Sequence, residues 1–123
     1  MVTGLLMRIV AVGTLLVAAA PAARAHAFPD HSDPGVGSTL NAPPGQVRIW
    51  FTEALEPAFS TIAVTDASGR TVGQGKAAVD AQDPTLLAIG LLPLTPGTYR
   101  VSWRVVSVDT HPTAGDFTFT IKP

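Results

Sequence analysis

An alternating stretch near the C-terminus, from Thr98 to Val108, constrains the fold of this chain more than any other feature. Its apolar residues occupy every second position: Tyr99, Val101, Trp103 and Val105. The positions between them are polar: Arg100, Ser102 and Arg104. Because side chains alternate between the two faces of a β-strand, this pattern predicts a long strand with one face buried. A second layer must cover that apolar face, which favours a fold of packed sheets.

Shorter segments repeat the alternation, and no long segment shows the 3.6-residue period of a helix. We predict strands over 46–51, 59–66, 85–89 and 115–122, and a weaker edge strand over 70–79. Turn signals such as Ser68-Gly69 and Thr95-Pro96-Gly97 separate them. The fold class predicted is all-β, an immunoglobulin-like Greek-key sandwich or barrel of about seven strands. The predicted core comprises Phe51, Ile62, Trp103, Phe117 and Phe119.

Two further segments are predicted to be irregular. Residues 28–44 are rich in Pro, Asp, Gly and Ser, and they read as an extended arm with turns. Pro29 and Pro34 limit how much of this arm can pair inside a sheet. Residues 52–57 are expected to form a short turn or a single helical turn before the next strand.

The first 25 residues have the features of a secretory signal peptide. A short segment with one positive charge, Met1 to Arg8, precedes an apolar run of 12 residues, Ile9 to Ala20. Ala23 and Ala25 then provide the small residues of an A-x-A cleavage site. The apolar run is too short for a transmembrane anchor, which needs roughly 20 residues. We therefore predict a signal peptide over 1–25 and a periplasmic or secreted β domain, with no membrane span, over 26–123.

The net charge and sulfur content of residues 26–123 limit which partners and metal ions this part of the chain can bind. This part has six Lys and Arg, the eight of the full chain less Arg8 and Arg24, and all nine Asp and Glu, for a net charge of 6 − 9 = −3. An acidic domain is a poor partner for nucleic acid or an anionic membrane. The chain has no Cys, and its two Met residues, Met1 and Met7, precede the cleavage site. The processed domain therefore contains no sulfur ligand. We expect this domain to be a monomer.

The segment Val106 to Pro112 carries a candidate half of a metal site. Asp109 and His111 stand two residues apart, so in extended backbone their side chains leave the same face. Pro112 lacks an N–H group and is expected to end the ladder, which would place the pair at an exposed strand end. An oxygen and a nitrogen donor would then point toward one position.

Cleavage after Ala25 would create the other half at His26. An N-terminal His offers its free α-amine and its Nδ1 to the same metal, and the amine must lose a proton to bind. With His111 and Asp109 the donors are three nitrogens and one oxygen, a set that suits Cu(II). Zn(II) prefers a tetrahedron, often with thiolates, and Cu(I) prefers sulfur. The predicted ligand is therefore Cu(II).

Three segments of the chain resemble the CopC copper-resistance family of periplasmic copper-binding proteins. They are His26-Ala27 with Ser32-x-Pro34, Phe51-Thr52-Glu53-x-Leu55, and Gly97-x-Tyr99-x-Val101-x-Trp103-Arg104-x-x-Ser107-x-Asp109-x-His111-Pro112-x-x-Gly115. The resemblance implies a β-barrel that binds Cu(II) through the residues matching His26, Asp109 and His111, with Glu53 as an occasional or outer contributor. It also implies a non-enzymatic role in copper sequestration, resistance or delivery to a CopD-type membrane copper transporter.

The chain departs from this family at two places. Some members carry a Met-rich loop for Cu(I), but the matching region 71–80 has no Met, so a Cu(I) site is not carried over. Pro29 stands where the family usually has an aliphatic residue.

Alternatives remain for individual residues and for the function. Asp109 could fix the tautomer of a ligand His instead of binding metal itself. His31 is either a solvated His of the arm or a further nitrogen donor, and Glu53 either faces solvent or joins the site. Trp50 and Trp103 are expected to pack rather than to bind a substrate. An N-terminal His paired with a second His is also the copper arrangement of lytic polysaccharide monooxygenases, and an exported interaction domain is a third option.

Overall fold

The computed structural model describes residues 11–14 and 26–123. The described part contains eight β-strands and one 3₁₀ helix, Pro57–Phe59. The strands are β1 (Pro29–Asp33), β2 (Thr39–Leu40), β3 (Gln46–Phe51), β4 (Thr61–Thr65), β5 (Gly73–Val79), β6 (Leu86–Leu91), β7 (Gly97–Val106) and β8 (Pro112–Ile121).

These strands form two four-stranded sheets, ordered β1-β3-β6-β5 and β2-β8-β7-β4. Neighbouring strands are antiparallel except β2, which runs parallel to β8. The predicted β-sandwich is confirmed, with eight strands in place of about seven. The arm supplies β1 and β2, and the former begins at Pro29 and pairs with β3 alone, as an edge strand with a proline at its first position can.

The core lies between the two sheets and includes every residue predicted for it. Phe51, Ile62, Trp103, Phe117 and Phe119 are all at least nine-tenths buried. Phe51 meets Trp103 across the core in an edge-to-face contact, with ring centroids 5.3 Å apart. Such contacts between the two inner faces hold the layers together without a disulfide, since the chain has no Cys.

The β7–β8 connection corrects one sequence-based expectation. Val106 pairs with Pro112, so residues 107–111 are the loop of a hairpin and not the extended end of a strand. The loop closes with a hydrogen bond from the Thr110 N–H to the Ser107 carbonyl, 2.8 Å, and Thr110 adopts a positive φ of 75°. Pro112 therefore opens β8, where its missing N–H is tolerated, and does not end the ladder.

The predicted signal peptide falls almost entirely outside the described residues. Among residues 11–14 and 26–123, no helix has the length and apolar character needed to cross a bilayer.

Candidate metal site

Three segments meet at one end of the sandwich: residues 26–28, where the arm begins, residues 52–55 after β3, and the β7–β8 loop. The Thr52 N–H donates to the Phe28 carbonyl, 2.8 Å, which joins the first two segments. The Val108 N–H donates to the Ala54 carbonyl, 3.1 Å, which joins the second to the third. Backbone hydrogen bonds thus bring His26 and the Asp109–His111 pair to the same end of the fold.

The β7–β8 loop holds Asp109 and His111 side by side. The Asp109 Oδ1 lies 3.6 Å from the His111 Nδ1, and both side chains are about half exposed. The predicted proximity is therefore present, but a tight turn produces it and not a shared face of extended backbone. Thr110, between the two residues, reverses the chain by its left-handed conformation.

The Asp109 carboxylate is kept ionised by its neighbours. The Ser107 hydroxyl donates to its Oδ1 and is the main reason that the Asp109 pKa lies below its ordinary value; His111 lowers this pKa further, although partial desolvation opposes both. The backbone N–H of His111 in turn donates to the Ser107 hydroxyl oxygen, 3.3 Å away. Ser107, the first and fully buried residue of the loop, thus contacts both candidate ligands.

His26 reaches the loop from the arm. Its imidazole lies beside that of His111, with ring centroids 4.6 Å apart. It also stacks on the ring of Phe28, with centroids 6.1 Å apart. Imidazole nitrogens bind metals at about 2.0–2.1 Å, so two rings this close can reach one ion. In the full chain His26 is joined to Ala25 by a peptide bond and has no free α-amine.

The residues considered as outer contributors take different positions. His31 lies on β1, where its ring stacks on Trp50 at 4.4 Å and its Nδ1 is 2.7 Å from the Asp30 carboxylate. These contacts hold it on the outer face of the first sheet. Glu53 follows Thr52 directly at the site end and is half-buried.

The site consists of two overlapping pairs, His26 with His111 and His111 with Asp109. Among the described residues, no three or more His, Cys, Asp or Glu side chains lie close enough together to hold a metal ion. The hydroxyls of Ser107, Thr52 and Thr113, which bond to Asp109, Phe28 and Ala27, were not identified from the sequence. The position of Ser107, two residues before Asp109, was the available signal; the threonine contacts join residues far apart in the sequence.

The chain is thus a small β-sandwich domain that carries two imidazoles and a carboxylate, groups able to act as metal donors, at one end. The CopC domain family matches residues 30–122, which include Asp109 and His111 but not His26. The chain belongs to the CopC family. This membership supports a copper-binding role.

Similar proteins cover most of this chain. The copper resistance protein C of Escherichia coli is 34% identical over 125 residues, 96% of this chain and 98% of that protein. The crystal structure of CopC from Methylosinus trichosporium OB3b superposes with a TM-score of 0.74 at 33% identity, covering 80% of this chain and 95% of that one. The copper transport protein CutJ of Bacillus subtilis is 35% identical over 98 residues, which are 79% of this chain but 18% of that larger protein.

Proposed function

We propose that residues 26–123, released by cleavage after Ala25, bind one Cu(II) ion in the cell envelope and sequester or deliver it. His26 would contribute its α-amine and imidazole, His111 an imidazole and Asp109 an oxygen. The observation that supports this most is the 4.6 Å separation of the His26 and His111 rings, although the two residues are far apart in the sequence.

The choice of Cu(II) follows from the chemistry of the donors. Nitrogen and carboxylate oxygen suit Cu(II), which also leads the divalent metals in affinity for such sites. Cu(I) prefers thiolate and thioether sulfur, and residues 26–123 contain neither Cys nor Met. The Asp109 carboxylate, whose pKa is lowered by the Ser107 hydroxyl, is ionised and ready to bind at neutral pH.

Delivery to a membrane copper transporter of the CopD type is the favoured form of this function. A segment similar to this domain makes up 18% of a larger protein named for copper transport, which supports an exchange of copper between such a domain and a transporter. We infer no catalytic turnover, because Asp109 would occupy a position at the metal that an oxygen-activating site keeps open.

Copper titration of the processed protein tests the proposal. The wild type should bind one Cu(II) tightly, and His26→Ala or His111→Ala should abolish the tight site because each removes a nitrogen donor. His31→Ala is the matched control: this His is held by Trp50 and Asp30, so its loss should leave the affinity unchanged. Unaltered binding in both His26→Ala and His111→Ala would show the proposal to be wrong, and copper-dependent oxygen consumption with a reductant would favour an oxidative enzyme.

A further inference from the structure

We propose that Thr52 and Thr113 form a two-hydroxyl clamp on the arm and act as positioning residues for His26. This inference deepens the proposed function, on which its copper readouts rest. Neither threonine is a candidate metal ligand. Each holds the backbone of residues 26–28, and together they tie this segment to both sheets.

Thr113 ties the arm to the second sheet. Its half-buried hydroxyl donates to the Ala27 carbonyl at 2.6 Å, across 86 positions of sequence. Thr113 is the second residue of β8 and stands two positions after His111. The same hairpin therefore carries one imidazole and holds the backbone next to the other, so a displacement of the arm would change the distance between the rings directly.

Thr52 ties the arm to the first sheet. Its hydroxyl oxygen accepts a hydrogen bond from the Phe28 N–H at 3.1 Å and lies 3.5 Å from the His26 carbonyl oxygen, to which it can donate. Its own N–H donates to the Phe28 carbonyl at 2.8 Å. Thr52 directly follows Phe51, the last residue of β3. Phe51 pairs with Pro29, and this pair begins the β1–β3 ladder.

Ala27 lies between the two anchors and is fully buried in the core. A residue with its side chain in the core and its carbonyl bonded to Thr113 has little freedom, and His26 precedes it directly. The entropy lost in ordering the chain terminus is thus offset by contacts of the protein itself, and a preorganised ligand binds metal more tightly than a mobile one.

The clamp does not depend on metal or on processing. Its bonds use the carbonyls of His26 and Ala27, both backbone groups of Phe28, and the two threonines, and none uses the α-amine or the imidazole of His26. The arm is in place while His26 is still preceded by Ala25. Cleavage would then supply the amine to a ring pair that already exists.

Thr113→Val and Thr52→Val, made in the processed protein, test the clamp. Each removes a hydroxyl at nearly constant volume and should weaken Cu(II) binding by about 10–100-fold, the range seen when partners that orient metal ligands are lost. The EPR spectrum of bound Cu(II) should change as well. Thr113→Ser keeps the hydroxyl and should restore wild-type affinity, and Thr118→Val, on the exposed face of the same strand, should match the wild type.

A metal-free readout separates this inference from the proposed function. In the apo protein, Thr52→Val should accelerate hydrogen exchange at the Phe28 amide, which donates to the Thr52 hydroxyl. If Thr113→Val and Thr52→Val bind copper as the wild type does while His26→Ala does not, the clamp is refuted and the copper site stands. If the wild type binds no Cu(II), the proposed function fails, and unchanged Phe28 exchange in Thr52→Val would then refute the clamp independently.

Discussion

At the scale of single residues, the β7–β8 loop explains how a short segment presents two different donors. Asp109 and His111 flank Thr110, whose positive φ of 75° is unfavourable for a β-branched side chain. Strained backbone of this kind is retained where the surrounding contacts fix it and is concentrated at functional sites. Here the Ser107 backbone and hydroxyl supply those contacts. The strain is therefore a property of the candidate site.

Replacing Thr110 should relieve this strain. Asn tolerates the left-handed region, so Thr110→Asn should raise the free energy of unfolding by about 0.5–1 kcal/mol. Thr110→Val keeps the β-branch and should leave stability nearly unchanged. Urea denaturation of the metal-free variants measures both effects. Equal stability of the Asn and Val variants would contradict the idea that backbone strain is stored at this position.

At the scale of elements, the β7–β8 hairpin depends on a glycine opposite a tryptophan. Trp103 pairs with Gly115, and the indole lies across the glycine so closely that a Cβ there would come within 2.6 Å of the Trp103 Cζ2. Trp103 in turn packs against Phe51 of the facing sheet. The hairpin that carries His111 is thus fixed to the core by a ring that requires a residue without a side chain beside it.

Gly115→Ala should be destabilising because the Trp103 indole must shift from the position in which it packs against Phe51. Overpacking of this kind costs about 1–3 kcal/mol of unfolding free energy. Gly45→Ala is the matched control, since a Cβ at Gly45 has no neighbour within 4 Å and its φ is not positive. Thermal unfolding of the two variants provides the comparison, and a Gly115→Ala protein as stable as Gly45→Ala would show that the contact is accommodated at no cost.

At the scale of the whole molecule, alternation in the sequence predicted the sandwich and its core, because half-buried strands must alternate. It did not predict β1 and β2, because β1 begins with a proline and has no apolar alternation, and β2 has only two residues. It correctly predicted that Asp109 lies beside His111, but it predicted an extended strand end where the structure has a hairpin loop. Both conformations can bring residues i and i+2 together. The threonine hydroxyls on Ala27 and Phe28 were not predictable, because they join residues 24 and 86 positions apart.

Acid should destabilise the whole domain through its turns. The Thr85 hydroxyl and N–H lower the pKa of Asp83 below its ordinary value of 3.8, and the Ser68 hydroxyl, followed by the Arg70 N–H, does the same for Asp66. Because the unfolded chain then takes up protons first, these groups add stability above about pH 5 that is lost as the pH falls through 3.8 and below. Denaturation of the apo protein between pH 7 and pH 2 measures this loss.

The matched variant for the acid effect is Asp66→Asn/Asp83→Asn. It removes both titrating groups, so the free energy of unfolding should fall less steeply below pH 4 than in the wild type. If the free energy of unfolding fell equally steeply with pH in the two proteins, these turn carboxylates would be excluded as the source of the acid destabilisation.

The central claim is that cleavage before His26 completes a Cu(II) site. The most direct measurement compares Cu(II) affinity and EPR spectra for the chain that begins at His26 and for the same chain acetylated on the His26 α-amine, which blocks this donor as the peptide bond to Ala25 does in the full chain. We expect one tight site in the first protein. Binding in the second should be at least about tenfold weaker, with one nitrogen donor fewer, because only the free amine differs. Equal affinities and identical spectra would contradict this claim.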